Sequence, residues 1–168
     1  MNDYKLVPFT NLEDILPILD KISLFGGLTK EELYQLFSLA EYGVFKKSDI
    51  LFHKGDSPNY IYIVISGQVK VYITKDNIEY EFISFSAGDC LGEASLMSIE
   101  PHTATAVCNK KSKLILISRK TLFTLHKTNP TLFSKLILNI ARELARRLHK
   151  NNYRLFQYMS SGKKEEEK

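Results

Sequence analysis

A chain of 168 residues with 44% hydrophobic and 25% charged residues is sized for one domain with its own core, and its composition is that of an ordinary soluble protein. A net charge of +4 is too mild to indicate a nucleic-acid partner, and no apolar run is long enough to span a bilayer. No secretory signal opens the chain, so we expect a cytoplasmic protein in which both cysteines, Cys90 and Cys108, are free thiols.

The first part of the chain is predicted to be an irregular arm of about ten residues followed by helices over 11–41. Asn11 is a candidate cap for a short helix whose regularity Pro17 limits. Thr29 and Glu32 have the spacing of a capping box, which predicts the start of a second helix. Its apolar positions repeat at helical spacing: Leu33, Leu36, Phe37 and Ala40.

Over residues 42–117 the apolar period changes to two, which predicts short strands joined by glycine turns. The continuous apolar run 60–65 is short enough to be a buried strand. Ser66 and Gly67 after it are interpreted as a two-residue hairpin loop. Strands at this spacing favour a β-sandwich or a jelly-roll barrel.

After residue 117 the pattern returns to a helical period. Ser118 is a candidate cap for a helix over 119–127, and Pro130 begins a long helix at an allowed first-turn position. One stripe of the long helix is apolar: Phe133, Leu136, Ile137, Ile140, Leu144 and Leu148. Its basic residues Arg142, Arg146, Arg147 and Lys150 are interpreted as a solvated face. We expect one domain over 1–158 and a disordered charged tail over 159–168.

Residues 88–107 have the composition of a ligand-binding turn. Gly92 lets a ligand approach the backbone, and the small residues Ala94 and Ser95 leave the N–H groups of a short helical turn open to an anion. Glu93 offers an acceptor for the hydroxyl groups of a sugar.

Two segments, Leu91-Gly92-Glu93-Ala94-Ser95-Leu96 and Pro101-His102-Thr103-Ala104-Thr105, resemble the two halves of the phosphate-binding cassette of the cyclic nucleotide-binding domain family. Residues 50–56 and 60–67 are similar to the first half of that family's barrel, and the resemblance covers roughly 25–148. It implies an α+β domain, a β jelly-roll barrel flanked by N-terminal helices and a long C-terminal helix, with cAMP or cGMP as the ligand.

The resemblance also implies the roles of individual residues. Glu93 would bind the ribose 2′-hydroxyl, and N–H groups around Ser95 and Thr103 would hold the cyclic phosphate. The ligand-binding set carried over is Gly92, Glu93, Ala94, Ser95, His102, Thr103 and Ala104. His102 stands where the family has an arginine. Since it lacks the planar fork and the permanent charge, its presence could weaken binding roughly tenfold to a hundredfold.

Three interpretations of this cassette remain open: weakened nucleotide binding, binding of another small anion, or a degenerate pocket in a protein-interaction scaffold. The resemblance implies that the long helix closes over the pocket and often pairs two subunits, here through the 133–148 stripe, and that an unknown protein partner receives the signal. Tyr153 and Phe156 are candidates for a lid over the base, with core or dimer packing as the alternative.

No pattern in the chain indicates catalysis, a cofactor or a metal. The four histidines do not have the spacing of a metal-binding barrel, and Ser95 lies in no nucleophile elbow. About twenty residues follow Leu148, too few for the helix-turn-helix domain of the family's DNA-binding members. We therefore expect a binding module that is not an enzyme and contacts neither DNA nor a membrane.

Overall fold

The computed structural model describes residues 6–8, 15–76 and 78–162. The predicted cap at Asn11 and the last six residues of the predicted tail lie outside this range.

The N-terminal part combines one short strand with three helical segments. Strand β1 (Val7–Pro8) pairs with the first strand of the barrel, where the sequence predicted an irregular arm. Two short 3-10 helices (Leu16–Lys21 and Ser23–Phe25) lead to α1 (Lys30–Leu39). The capping box is confirmed, because Glu32 N–H donates to Thr29 Oγ1 at 3.2 Å and Thr29 N–H donates to the Glu32 carboxylate at 2.8 Å.

The described residues form a barrel of two antiparallel sheets. The strands after β1 are β2 (Glu41–Phe45), β3 (Ile50–Phe52), β4 (Tyr60–Ser66), β5 (Val69–Lys75), β6 (Ile78–Phe85), β7 (Cys90–Leu91), β8 (Thr105–Cys108) and β9 (Ser112–Ser118). Of these nine strands, β1 included, five pair in the order β1-β2-β9-β4-β7, and the other four pair in the order β3-β8-β5-β6. This arrangement confirms the predicted jelly-roll-like barrel.

The central strand β4 explains why its sequence is apolar without alternation. Ile61 and Ile63 face the helices, whereas Tyr62 and Val64 face the second sheet. All four are buried, so both faces of this strand contribute to a core.

The prediction of a hairpin at Ser66 and Gly67 is wrong. Strand β4 pairs with β9 and β7, whereas β5 pairs with β8 and β6, so the chain changes sheet at this point. Gly67 has φ +96°, and a Cβ there would overlap the Ser112 hydroxyl. The glycine is thus needed for a close approach at a corner of the barrel.

Two helices follow the barrel. Helix α3 (Arg119–Thr128) begins as predicted, with Thr121 N–H donating to Ser118 Oγ at 3.0 Å. Helix α4 (Pro130–Gly162) continues beyond the predicted boundary at residue 158, because no Gly or Pro interrupts it before its last residue. Every residue over 148–161 is exposed. The described part of the chain holds no helix that combines the length and the apolarity required to cross a membrane.

The apolar stripe of α4 packs against its own domain. Leu136 and Ile140 are buried in the helix-side core, and Phe133, Ile137 and Leu144 pack against it. Of the predicted stripe only Leu148 remains largely exposed. The expectation that this stripe pairs two subunits is therefore corrected: its surface is already used within the chain.

The buried amide of Asn139 ties α4 to the N-terminal helices. Its Nδ2 donates to the carbonyl oxygens of Leu24 (3.0 Å) and Gly26 (2.8 Å). We expect Asn139→Ala to lower the free energy of unfolding by about 1–3 kcal/mol, because it leaves buried carbonyls without a donor. Urea unfolding measures the change, and the exposed Gln157→Ala on the same helix is the control, expected to stay within about 0.5 kcal/mol. Equal midpoints for the two variants would contradict this role.

Candidate functional site

A short helix opens the site. Strand β7 leads through Gly92 into α2 (Glu93–Ser98), the short helical turn that the sequence predicts. Gly92 has φ +86°, and a Cβ there would lie 2.7 Å from the Tyr60 carbonyl oxygen. No other residue type fits this position without strain, because the backbone both turns left-handed and touches β4.

The start of α2 and the segment before β8 enclose a cavity of about 150 Å³, which we call the cassette cavity. The structure brings all seven predicted binding residues to its wall: Gly92, Glu93, Ala94, Ser95, His102, Thr103 and Ala104. The barrel supplies the apolar part of the wall: Phe52, Val71, Ile73, Phe82, Ile83, Phe85 and Leu91. Arg147 of α4 lines the same cavity. Ligand contact by these residues stays a prediction.

Glu93 is a buried carboxylate, 1% exposed, and only one of its two oxygens has a hydrogen-bond partner among the described residues. Its Oε1 accepts a hydrogen bond from Arg147 Nη1, and its Oε2 has no hydrogen-bond partner among the described residues. Burial raises the pKa of Glu93, and the Arg147 charge opposes that shift. The buried Oε2 therefore lacks the hydrogen bond that a buried carboxylate oxygen normally has.

Arg147 is the residue that sequence reasoning missed. Its Nη2 donates to the Cys90 carbonyl oxygen at 2.6 Å, its Nε donates to Glu143 at 3.1 Å, and its guanidinium lies 5.1 Å from the centre of the Phe85 ring. The interpretation of Arg147 as part of a solvated face is therefore wrong. Position 147 follows Ile140 by seven residues, so the helical period already placed it on the buried stripe.

The buried ring of His102 forms part of the wall of the cassette cavity. Its ring stacks on Phe52 with a centroid distance of 3.7 Å and an interplanar angle of 11°, and its side chain is 4% exposed. Its backbone bonds the turn after β3, where Gly55 N–H donates to its carbonyl and its N–H donates to the Asp56 carbonyl. Burial lowers the pKa of His102, with Asp56 opposing. Near neutral pH this imidazole is uncharged and cannot replace an arginine's permanent charge.

The candidate lid residues do not line the cassette cavity. Tyr153 is 63% exposed and Phe156 is 67% exposed, both on the outer part of α4. A second cavity of about 570 Å³ lies between β6 and α4 and shares four lining residues with the first: Phe82, Ile83, Phe85 and Arg147. The role of a lid over the base stays a prediction for both aromatic residues.

The two cysteines show no sign of reactivity, and the described residues hold no metal-binding cluster. Cys90 and Cys108 are unpaired, as expected, and both are buried. Burial raises the pKa of both thiols, that of Cys108 to about 11, so neither is a ready nucleophile. Over 6–8, 15–76 and 78–162, no group of His, Cys, Asp and Glu has the arrangement of a metal site.

Comparison with known proteins gives a consistent set of similarities. A family model described as the cyclic nucleotide-binding domain matches residues 43–129, more than half of the chain. The cyclic AMP receptor protein of Thermus thermophilus is 28% identical over 133 residues, which cover 79% of this chain and 60% of that protein. The cyclic nucleotide-gated channel beta-3 of Mus musculus is 28% identical over 130 residues, 76% of this chain and 18% of the channel.

The potassium channel KAT3 of Oryza sativa subsp. japonica is 26% identical over 106 residues, 63% of this chain and 21% of the channel. The chain thus spans less than two thirds of each of these relatives. Among solved structures, a cyclic nucleotide-binding domain from Methylobacillus flagellatus has a TM-score of 0.76 at 26% identity, covering 86% of this chain and 82% of that chain. The catabolite activator protein of Thermus thermophilus has a TM-score of 0.70 at 28% identity, covering 79% and 61%.

The buried ring of His102 predicts a pH dependence of stability. Because its folded pKa lies below the usual 6.5, the unfolded chain binds the proton first, and stability falls as the pH drops below about 6.5. His102→Phe keeps a ring against Phe52 and removes the titration. Between pH 7 and pH 5 the variant should therefore lose less stability than the parent protein, because unfolding no longer exposes an imidazole that takes up a proton.

Urea unfolding at pH 5, 6 and 7 measures both proteins. His53→Gln, which removes an exposed histidine from the neighbouring turn, controls for the loss of an imidazole. Parallel stability curves for His102→Phe and the parent protein would show that burial of this ring has no such effect.

Proposed function

This chain belongs to the cyclic nucleotide-binding domain family, and we propose that it is a cytoplasmic regulatory module that senses a cyclic nucleotide, cAMP or cGMP, in the cassette cavity. The observation that carries the proposal is the buried Oε2 of Glu93, which has no partner among the described residues. A ribose hydroxyl donates one hydrogen bond to a carboxylate oxygen, so such a ligand would satisfy this atom.

The rest of the wall suits the phosphate and the base. The first N–H groups of a helix have no intrahelical acceptor. In α2 the side chains of Ala94 and Ser95 are small, so they do not block an anion from the backbone N–H groups of its first turn. Thr103 and Ala104 bring a second stretch of backbone to the same cavity. The Thr103 hydroxyl would permit a hydrogen bond to guanine and would leave room for adenine. The proposal therefore includes both cGMP and cAMP.

Arg147 offers a route by which binding is reported. It joins α4 to Glu93 and to the Cys90 carbonyl, so the cassette and the long helix share one set of contacts. A ligand that bonds to Glu93 changes the free energy of those contacts and hence the preferred position of α4. A protein partner that reads α4 would receive the signal.

We also propose that α4 pairs two copies of the chain, through a seam that shares only Leu148 with the stripe that the sequence suggested. Seven positions with the alternating three- and four-residue spacing of a heptad seam are all exposed: Leu138, Ala141, Ala145, Leu148, Asn152, Leu155 and Met159. Asn152 occupies an a position of that seam. A single asparagine at an a position favours a coiled coil of two parallel helices in one register, which matches a symmetric dimer.

A scaffold that binds no nucleotide is the second candidate function. The cassette cavity, at about 150 Å³, is smaller than the range of about 300–1,000 Å³ typical of ligand pockets, and Arg147 already engages Glu93. Under this alternative the ion pair would be a permanent part of the core, and dimerisation through α4 would be the output.

Titration calorimetry with cAMP and cGMP at pH 6 and pH 8 separates the two functions. We expect binding at both pH values, and we expect Glu93→Gln to weaken it about tenfold because the acceptor for the ribose loses its charge. The exposed Glu100→Gln, just beyond α2, is the matched control. No heat at millimolar ligand at either pH would remove the sensor function and favour the scaffold.

The exposed seam predicts that the protein is a dimer in solution. Leu148→Lys combined with Leu155→Lys places four like charges in the paired seam, so the double variant should be monomeric. Sedimentation equilibrium measures the mass. Gln157→Lys, on the opposite side of the same helix, should leave the dimer intact. A monomeric parent protein, or a double variant that stays dimeric, would exclude this interface.

A further inference from the structure

We propose that Arg147, although it lies on α4 outside the cassette, is the cationic ligand for the phosphate of a nucleotide bound in the cassette cavity. This inference rests on the proposed function and names the residue that supplies the positive charge there.

The charges on the cavity wall lead to this assignment. Among the described residues that line the cavity, Arg147 carries the one permanent positive charge and Glu93 the one carboxylate. His102 is held in its uncharged form by burial against Phe52, which lowers its pKa. An anion in so small a space beside a carboxylate needs a cation within contact distance, and of these lining residues Arg147 meets that condition.

The guanidinium has donors to spare for a ligand. An arginine has five N–H groups, and three of those of Arg147 are used strongly, by Glu93, by Glu143 and by the Cys90 carbonyl. One N–H of Nη1 remains, and one of Nη2 makes only a 3.6 Å contact with the Cys90 sulfur. These two N–H groups belong to the two terminal nitrogens of one planar guanidinium, a group that can bind two phosphate oxygens at once.

The side chain is also held in place before a ligand arrives. Glu143, which accepts from Arg147 Nε, itself accepts from Ser23 Oγ at 2.9 Å and from Arg146 Nη2 at 2.7 Å. The Phe85 ring lies against the guanidinium. A cation fixed by a carboxylate, a carbonyl and a ring loses little conformational entropy when a phosphate binds.

This arrangement lets one side chain serve both halves of a nucleotide. On this proposal Arg147 keeps its bond to Glu93 Oε1, the unpartnered Glu93 Oε2 accepts from the ribose, and the two remaining N–H groups of Arg147 donate to the phosphate. The ion pair therefore does not have to break for a ligand to enter. The contrasting assignment is that Arg147 only neutralises Glu93 and fills space.

Calorimetry on the full chain with two ligands tests the assignment. One ligand is cAMP and the other is adenosine, which has the same base and ribose but no charge. Because Arg147→Met also leaves Glu93 without its ion-pair partner, both ligands should bind more weakly, but we expect the loss for cAMP to exceed the loss for adenosine by about tenfold to a hundredfold. Arg147→Lys, which keeps the charge without the fork, should lie between the parent protein and Arg147→Met. Arg142→Met removes a charge from an exposed position of the same helix and should bind as the parent does.

A rescue variant keeps the test independent of the adenosine affinity. His102→Arg returns a cation from the other wall of the cavity, so adding it to Arg147→Met should restore at least about tenfold of the lost cAMP affinity. Equal loss of both ligands, tighter cAMP binding by Arg147→Met, or no rescue would overturn the assignment while the sensor function stands. A parent protein that binds neither ligand would remove the sensor function and this inference together.

Discussion

The ion pair between Glu93 and Arg147 is the contact on which the rest of the structure depends. It joins the start of α2 to α4. Because Glu93 is buried, the strength of the ion pair depends on the atoms around it. Losing one partner of a buried pair is far costlier than losing an exposed one, because the remaining charge is stranded away from water. The same contact therefore adds to the apolar packing and the Asn139 hydrogen bonds that hold α4 on the domain, and it places a charge pair in the wall of the cassette cavity.

The barrel serves this contact by placing two backbone segments opposite one helix. Strand β4 carries side chains into both cores, so β7 and the cassette start from a rigid base, and the tight contact at Gly92 fixes where α2 begins. His102 stacked on Phe52 closes the far wall with an uncharged ring. The result is an apolar enclosure with Glu93 and Arg147 at its edge, where electrostatic contacts are stronger than they would be in water.

Local spacing carried most of what the sequence could predict. The caps at Thr29 and Ser118 and the buried run of β4 follow from patterns within a few residues, whereas the set of cassette residues came from the resemblance to a known family. The corner at Gly67 was misread because a two-residue turn is the same locally whether its strands pair with each other or with distant ones. Arg147 was missed because its partners Glu93 and Cys90 are remote from it along the chain, and a charged residue on a helix is normally solvated.

The N-terminal part of helix α4 packs on the domain, whereas its C-terminal part is exposed. From residue 148 to residue 161 every residue is exposed, and fourteen helical residues extend about 21 Å. If the helix rotates about the contacts that Arg147 makes with Glu93 and Cys90, its exposed end moves farthest. On the proposed function, a rotation that shifts the cavity wall by a fraction of an ångström would displace Met159, twelve residues further along the helix, by a larger distance, and a partner bound at that end would detect it.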